Sequence, residues 1–501
     1  LHAAQPPGDP VQFAAIRAVA RRGRLDRSES TLMAEYHRTG GARMRSRART
    51  YYLVSLAGLL TGVAVGVAAD PPAQHPPAHG TIHPAPAATS PKSVAPGSLT
   101  LADLEQLALR HNPTLAEATA QVEASRAKAL QAGLYPNPTV GYQGEQIGAG
   151  GTAGELQGGF IQQEIVTAGK LRLSRAKYRQ EAVAAEVQAL AQQYRVVNGV
   201  RVRFWDALTA QSLVAVRRDL LRIAEDAAQT TEQLVNVGQA NRPDLLQARI
   251  ESRRARVELQ NAEQRYRGDW AQLIAVVGRP GLPLTLLAGQ LDRDGPSPDW
   301  DRTLADLLVA SPELQFAQAE VARDEITVRR ERVEPIPNVT VRGVTGYNYQ
   351  TRTAVAEAQL SVRLPIWDRN QGTIRQARAD LARARANVTR VELSLRRRFA
   401  DAATRYRTAR TSVDNYRTET LPMAKEAYEL LLDSYGKRRA AWPQVLVAAR
   451  DYARFRVDYL EALHDLRRAE VEITGLLLVD GLSSPTGPTP QGHLEANPRP
   501  R

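Results

Sequence analysis

Three histidines spaced four apart, His75, His79 and His83, are the residues of this chain best placed by type to capture a metal ion. Imidazoles at that spacing on a helix share one face and can chelate a divalent cation. Pro76 and Pro77 remove the helix, because a locked φ and a missing N–H break its ladder. Residues 70–98, rich in Pro, Ala, His and Ser, therefore read as a disordered linker, with metal capture the lesser alternative. Catalytic patterns are missing: there is no G-x-S-x-G, no H-E-x-x-H and no P-loop. Gly148 to Gly154 is glycine-rich but lacks the G-x-G-x-x-G spacing, and it reads as a connection between paired strands. None of the 501 residues is cysteine, which excludes disulfides, thiolate metal sites and cysteine nucleophiles. No enzyme activity, cofactor or resident metal is expected.

Charge raises a second possibility. The net charge is +13, and residues 1–69 alone contribute +6. Arg375, Arg378, Arg383, Arg385, Arg390, Arg396, Arg397 and Arg398 could form a nucleic-acid stripe. Asp380, Glu392 and Asp401 interleave with them and they fall all around the helix, so a solvated, salt-bridged surface is expected and no nucleic-acid partner. Lone His464 reads as a solvated or packed side chain rather than a ligand.

The elements that must position any site begin with an export signal. Arg45, Arg47 and Arg49 precede a 17-residue apolar run, Tyr51 to Val67, which ends in Val67-Ala68-Ala69 before Asp70. Residues 44–69 thus read as a secretory signal peptide, residues 1–43 as an upstream leader without structural role, and 481–501 as a disordered tail.

Between the tails one pattern occurs twice. Leu101-Ala102-Asp103-Leu104 returns as Leu304-Ala305-Asp306-Leu307, and Pro136-Asn137-Pro138-Thr139-Val140 returns as Pro337-Asn338-Val339-Thr340-Val341. The unit is about 200 residues long, giving repeats at 99–300 and 301–480. Each carries two strand-like runs, at ~139–146 and ~156–165, then ~338–349 and ~355–365. Ala356, Ala358, Leu360, Val362 and Leu364 alternate with Glu357, Gln359, Ser361 and Arg363, and each run has the length of a transmembrane β-strand. Long helices follow at ~170–236 and ~371–434, the second kinked at Pro422. Returning helices at 244–277 and 444–477 span about half that length, and helices at 114–133 and 313–333 would stack end-on with them.

Four membrane-length strands cannot close, and an open edge in lipid leaves backbone groups unpaired. A barrel needs about eight strands, so several chains must share one. The fold class expected is a mixed α/β membrane protein: a long antiparallel coiled-coil tunnel with four β-strands per chain contributed to a shared transmembrane barrel.

Residues 99–480 resemble the TolC-like outer-membrane efflux proteins. Val235-Asn236-Val237-Gly238 with Asp244-Leu245-Leu246-Gln247-Ala248-Arg249 resembles the first helix-turn-helix tip, and Tyr435-Gly436-Lys437-Arg438 with Val445-Leu446 the second. Ala108-Leu109-Arg110-His111-Asn112-Pro113 and Gln131-Ala132-Gly133-Leu134-Tyr135-Pro136-Asn137-Pro138 are similar to the heavy-metal efflux branch. The resemblance implies a homotrimer with a twelve-stranded barrel and a periplasmic helical tunnel. It implies an exit duct in the outer membrane that works with a periplasmic adaptor (membrane fusion protein) and an inner-membrane pump, with heavy-metal cations as possible cargo. Val237, Gly238, Gln239, Ala240, Tyr435, Gly436, Lys437 and Arg438 are the implied docking residues at the helix tips. Asp244, Gln444 and Val447 mark the periplasmic aperture. Gln444 and Val447 stand where the best-studied branch has two cation-binding Asp, so weaker cation block is expected. Trp367 is the candidate for the membrane-interface aromatic belt. Many relatives carry a lipidated Cys; without one, anchoring is expected to rest on the barrel. The alternative is a periplasmic helical scaffold or adaptor without a channel.

Overall fold

A computed structural model describes residues 98–147, 155–238, 241–293, 298–437 and 439–484. The leader, the signal, the His-bearing linker up to residue 97, the Gly148 to Gly154 connection and the tail from 485 lie outside the described residues. Among the described residues no helix is long and apolar enough to cross a membrane.

The first half runs β1 (Leu99–Thr100), α1 (Leu101–His111), α2 (Pro113–Gln131), β2 (Thr139–Glu145), β3 (Leu156–Ile165), α3 (Lys170–Asn236) and α4 (Arg242–Val277). The second runs β4 (Leu287–Ala288), α5 (Trp300–Ala310), α6 (Pro312–Val333), β5 (Val339–Asn348), β6 (Thr353–Val362), α7 (Gln371–Asn415), α8 (Leu421–Gly436) and α9 (Trp442–Thr474). Local chemistry sets the starts. The Asp103 N–H donates to Thr100 Oγ1 at 3.3 Å while the Thr100 N–H donates to Asp103 Oδ2 at 3.0 Å, a reciprocal cap for α1. Asn112 caps α2, and Pro113 takes the first helical position, where its missing N–H costs nothing.

Two elements depart from the sequence expectation. The helix expected over ~371–434 is divided by a five-residue π-helical turn, Tyr416–Thr420. There the Leu421 N–H reaches back to the Tyr416 carbonyl, and the extra residue absorbs the disruption that Pro422 imposes one position later. The last strand occupies Thr353–Val362 rather than ~355–365, so Leu364 lies beyond the ladder. Pro365 cannot donate to a ladder and disfavours extension into it.

At 67 residues, α3 is about 100 Å long and serves as a mast for its neighbours. Arg217 to Glu258 (2.6 Å), Arg256 to Glu225 (2.5 Å) and Arg249 to Glu232 (2.8 Å) tie it to α4. The partners climb one helix as they descend the other, which fixes the antiparallel register; the two half-exposed pairs, Arg256–Glu225 and Arg249–Glu232, each contribute under about 1 kcal/mol. Nearer the sheet, α3 packs on α2 through Arg126 to Glu186 (2.8 Å) and Lys128 to Glu181 (3.4 Å). The start of α2 meets the end of α4: Asn112 Nδ2 donates to the Val276 carbonyl at 2.7 Å. Gly278 caps α4 with φ +78°, and a Cβ there would come within 2.5 Å of the His111 carbonyl oxygen. In the second half α7 binds α6 through Arg385 to Glu325 (2.9 Å) and α9 through Arg405 to Glu472.

The main core sits where the middles of α3 and α7 meet the ends of α4 and α9. Phe204, Leu104, Leu273, Val277, Phe399 and Leu463 are among its buried members. Trp300 of α5 closes it edge-on against Phe399 and Tyr406, at 6.2 and 5.5 Å between ring centroids. Elsewhere the helices pack through Ala, as at Ala182, Ala227, Ala377 and Ala449. Small contact residues let thin helical walls approach closely without a wide core.

Candidate functional site

The strands form one antiparallel sheet in the order β2-β3-β5-β6, joining both halves of the chain. Register then determines which side chains share a face. Val140 lies across from Ile161, Ile161 from Gly343, and Gly343 from Ala358. Val341 with Leu360, and Val339 with Val362 and Ile165, extend the same face. The opposite face pairs Gln162 with Arg342 and Arg342 with Gln359, and it also carries Gln143, Glu145, Glu164 and Glu357. One side is mainly apolar and exposed, as at Val140 and Leu360; the other carries most of the polar and all of the charged strand residues. That is the pattern of a wall with lipid outside and water inside. Among the described residues the two outer strands, β2 and β6, each leave one edge without a partner.

At the far ends of the helices are the tips. α3 stops at Asn236, Val237 is exposed, and Gly238 turns the chain with φ +73° with open space where a Cβ would stand. Gln239 and Ala240 lie outside the described residues. α4 restarts on a reciprocal cap: the Asp244 N–H donates to Asn241 Oδ1 at 2.9 Å, and Asn241 N–H reaches Asp244 Oδ2 at 3.5 Å. In this chain Asp244 is therefore engaged by its own helix start. The second tip turns after Gly436, where Lys437 Nζ pairs with Asp433 at 2.6 Å. Gln444 is likewise engaged, its Oε1 accepting the Ala441 N–H at 3.3 Å, whereas Val447 is exposed. Tyr435 packs on Trp442 at 4.8 Å between ring centroids, bracing this turn. Arg438 lies outside the described residues. Trp367, just past β6, is 87% exposed.

Between sheet and tips lies a linkage that sequence reasoning missed. His464 of α9 meets Asp206 of α3, Nε2 to Oδ1 2.7 Å, with Nδ1 3.2 Å from Asp465. The hydrogen bond to Asp206 raises the His464 pKa above its ordinary value against the opposing effect of burial. Burial pushes the Asp206 carboxyl up, but the hydrogen bond and charge of His464, with Arg203 and Arg468 nearby, outweigh it and leave the pKa lowered. The partners are 258 positions apart, and no local pattern announces them. Among the described residues, no group of three or more His, Asp or Glu is arranged to hold a metal ion.

The chain belongs to the outer membrane efflux protein family, whose profile matches residues 104–279 and 303–477. It is 25% identical over 387 residues to the cobalt-zinc-cadmium resistance protein CzcC of Cupriavidus metallidurans, covering 76% of this chain and 91% of the relative. Its fold matches the solved structure of the transmembrane channel protein CusC with a TM-score of 0.64 at 16% identity, over 75% of this chain and 91% of that one. The outer membrane protein VceC of Vibrio cholerae gives 0.63 at 16% identity, over 76% and 96%. The polar-faced sheet is thus the barrel portion of an outer-membrane efflux channel, and the coiled coils are its helical tunnel.

Proposed function

We propose that three copies of this chain form the exit duct of a tripartite system that expels divalent metal cations. The observation that carries the assembly is the open sheet: four strands with an apolar face and two free edges satisfy their backbone in lipid only by closing with other copies. Twelve strands give a barrel with an aqueous lumen, whereas eight would fill with side chains. The cargo reading rests on the likeness to CzcC along 91% of that protein. Val237, Gly238 and Lys437, with Gln239, Ala240, Tyr435, Gly436 and Arg438 beside them, are the surface offered to a periplasmic adaptor, which in turn engages an inner-membrane pump. Residues 44–69 direct export, and Trp367, exposed beside the last strand, anchors the barrel rim in the lipid interface.

Asp244 and Gln444 are occupied with helix starts, and no paired acidic ring stands near Val447 in the sequence. Divalent and trivalent cations added on the tip side are therefore expected to block conductance only weakly; strong block overturns this part. For the duct itself, a strain lacking the chain should become sensitive to cobalt, zinc and cadmium and recover on re-expression. Heat-modifiable trimers in the outer membrane are expected. A soluble periplasmic monomer, or unchanged metal tolerance, refutes the assembly or the cargo respectively.

A further inference from the structure

On the polar face of the sheet one cation is held in an unusual way. Arg342 of β5 extends across β3 to β2, where its guanidinium donates to Gln143 Oε1 at 2.5 Å. On the way it lies over the Phe160 ring, 4.3 Å from the centroid. Gln143 continues the chain of contacts, donating through Nε2 to Glu145 at 2.5 Å. Two glycines make this crossing possible. Gly158 stands opposite Gln143 in the register and offers no side chain to obstruct the arginine. Phe160 lies flat over Gly141, so closely that a Cβ at Gly141 would come 2.7 Å from its ring atoms. The arginine is thus laid along the wall rather than projected into the bore.

Within the paired strands the remaining charged side chains on this face are carboxylates, Glu145, Glu164 and Glu357, and Arg363 follows one residue past the end of β6. A low-dielectric wall around such charges focuses their field on the ions passing inside. We propose that Arg342, clamped by Phe160 and Gln143, is a specificity-determining residue of the channel, a fixed positive charge that moderates cation preference among the carboxylates of the barrel wall. The proposal rests on the duct reading, since it needs the sheet closed with its polar face inward. Each copy contributes one such strap, and the three lie at a single height because the register is the same in each. Free cations and cationic complexes are the favoured species, and Arg342 sets how strongly anions are refused.

The test is the reversal potential of the full-length purified channel in planar bilayers under a KCl gradient. The wild type should prefer K⁺ over Cl⁻. Arg342→Gln should raise that permeability ratio by about twofold or more, and Glu357→Gln should lower it by a similar factor. Arg342→Lys keeps the charge, and its ratio should stay near the wild-type value, which separates charge from packing. Conducting channels whose ratio is unchanged in Arg342→Gln, or a wild type that prefers Cl⁻, overturn this inference and leave the duct standing. Absence of any conductance in the wild type overturns both.

Discussion

Gly343 and Gly346 are three positions apart on the same strand, yet replacing each with alanine should have opposite consequences. At Gly346, which faces Gly158 across the ladder, a Cβ would come 2.5 Å from the Gln157 carbonyl oxygen and 2.8 Å from the Gly158 Cα. Both obstacles are backbone, so β3 and β5 have to move apart. At Gly343, on the apolar face, the nearest atom is the Ile161 Cγ2 at 4.0 Å, an ordinary contact. Alanine is better than glycine within a strand by roughly 0.5–1 kcal/mol. Overpacking typically costs about 1–3 kcal/mol. Gly346→Ala should therefore lose roughly 1 kcal/mol net and up to about 2.5 kcal/mol, while Gly343→Ala should be neutral or gain up to ~1 kcal/mol. The assay is the temperature at which the assembled, heat-modifiable band disappears from a gel. Gly346→Ala should lower it and Gly343→Ala should not. Equal effects of the two substitutions, or a tolerated Gly346→Ala, refute the reasoning from close strand approach.

Three further outcomes are expected. His464 has a raised pKa, so its pairing stabilises fully below the unfolded value of 6.5 and is lost as pH climbs through the folded value above it; Asp206, lowered, loses its share as pH falls below 3.8. Melting of the detergent-solubilised protein between pH 5.5 and 8.5 should thus fall with rising pH in the wild type and flatten in His464→Gln. Asn198, 1% exposed, donates to the Gly475 and Leu478 carbonyls at 2.8 and 2.7 Å, so Asn198→Leu strands two buried acceptors and should cost about 2–4 kcal/mol in urea titration. Phe204 is 1% exposed in the main core, and Phe204→Ala should destabilise by roughly 3–5 kcal/mol, read as loss of assembled band and of metal tolerance together.

Patterns with a short period were legible in the sequence. Alternation at 356–364 points to a strand, and the proline-free run after Lys170 to the long helix, because each follows from how successive side chains point. The duplication was legible for the same reason, as a repeat of such patterns. The π-helical turn at Tyr416–Thr420 was not, since proline says only that a helix must yield, not how. The strap from Arg342 to Gln143 crosses three strands drawn from both halves of the chain, and only their register places its ends together. The aperture position of Asp244 follows from the family resemblance, and its helix-capping duty is written locally in Asn241-x-x-Asp244.

The two unpaired edges have a consequence for genetics. If three chains share one wall, each must supply both a sound β2 edge and a sound β6 edge, and no neighbour can substitute for a faulty one. A cell making equal amounts of sound chain and of chain disabled at one edge would then assemble only about one fully sound trimer in eight. Edge variants should therefore be dominant over the wild-type copy, while losses confined to the helical core, which remove a chain before it meets its neighbours, should be recessive.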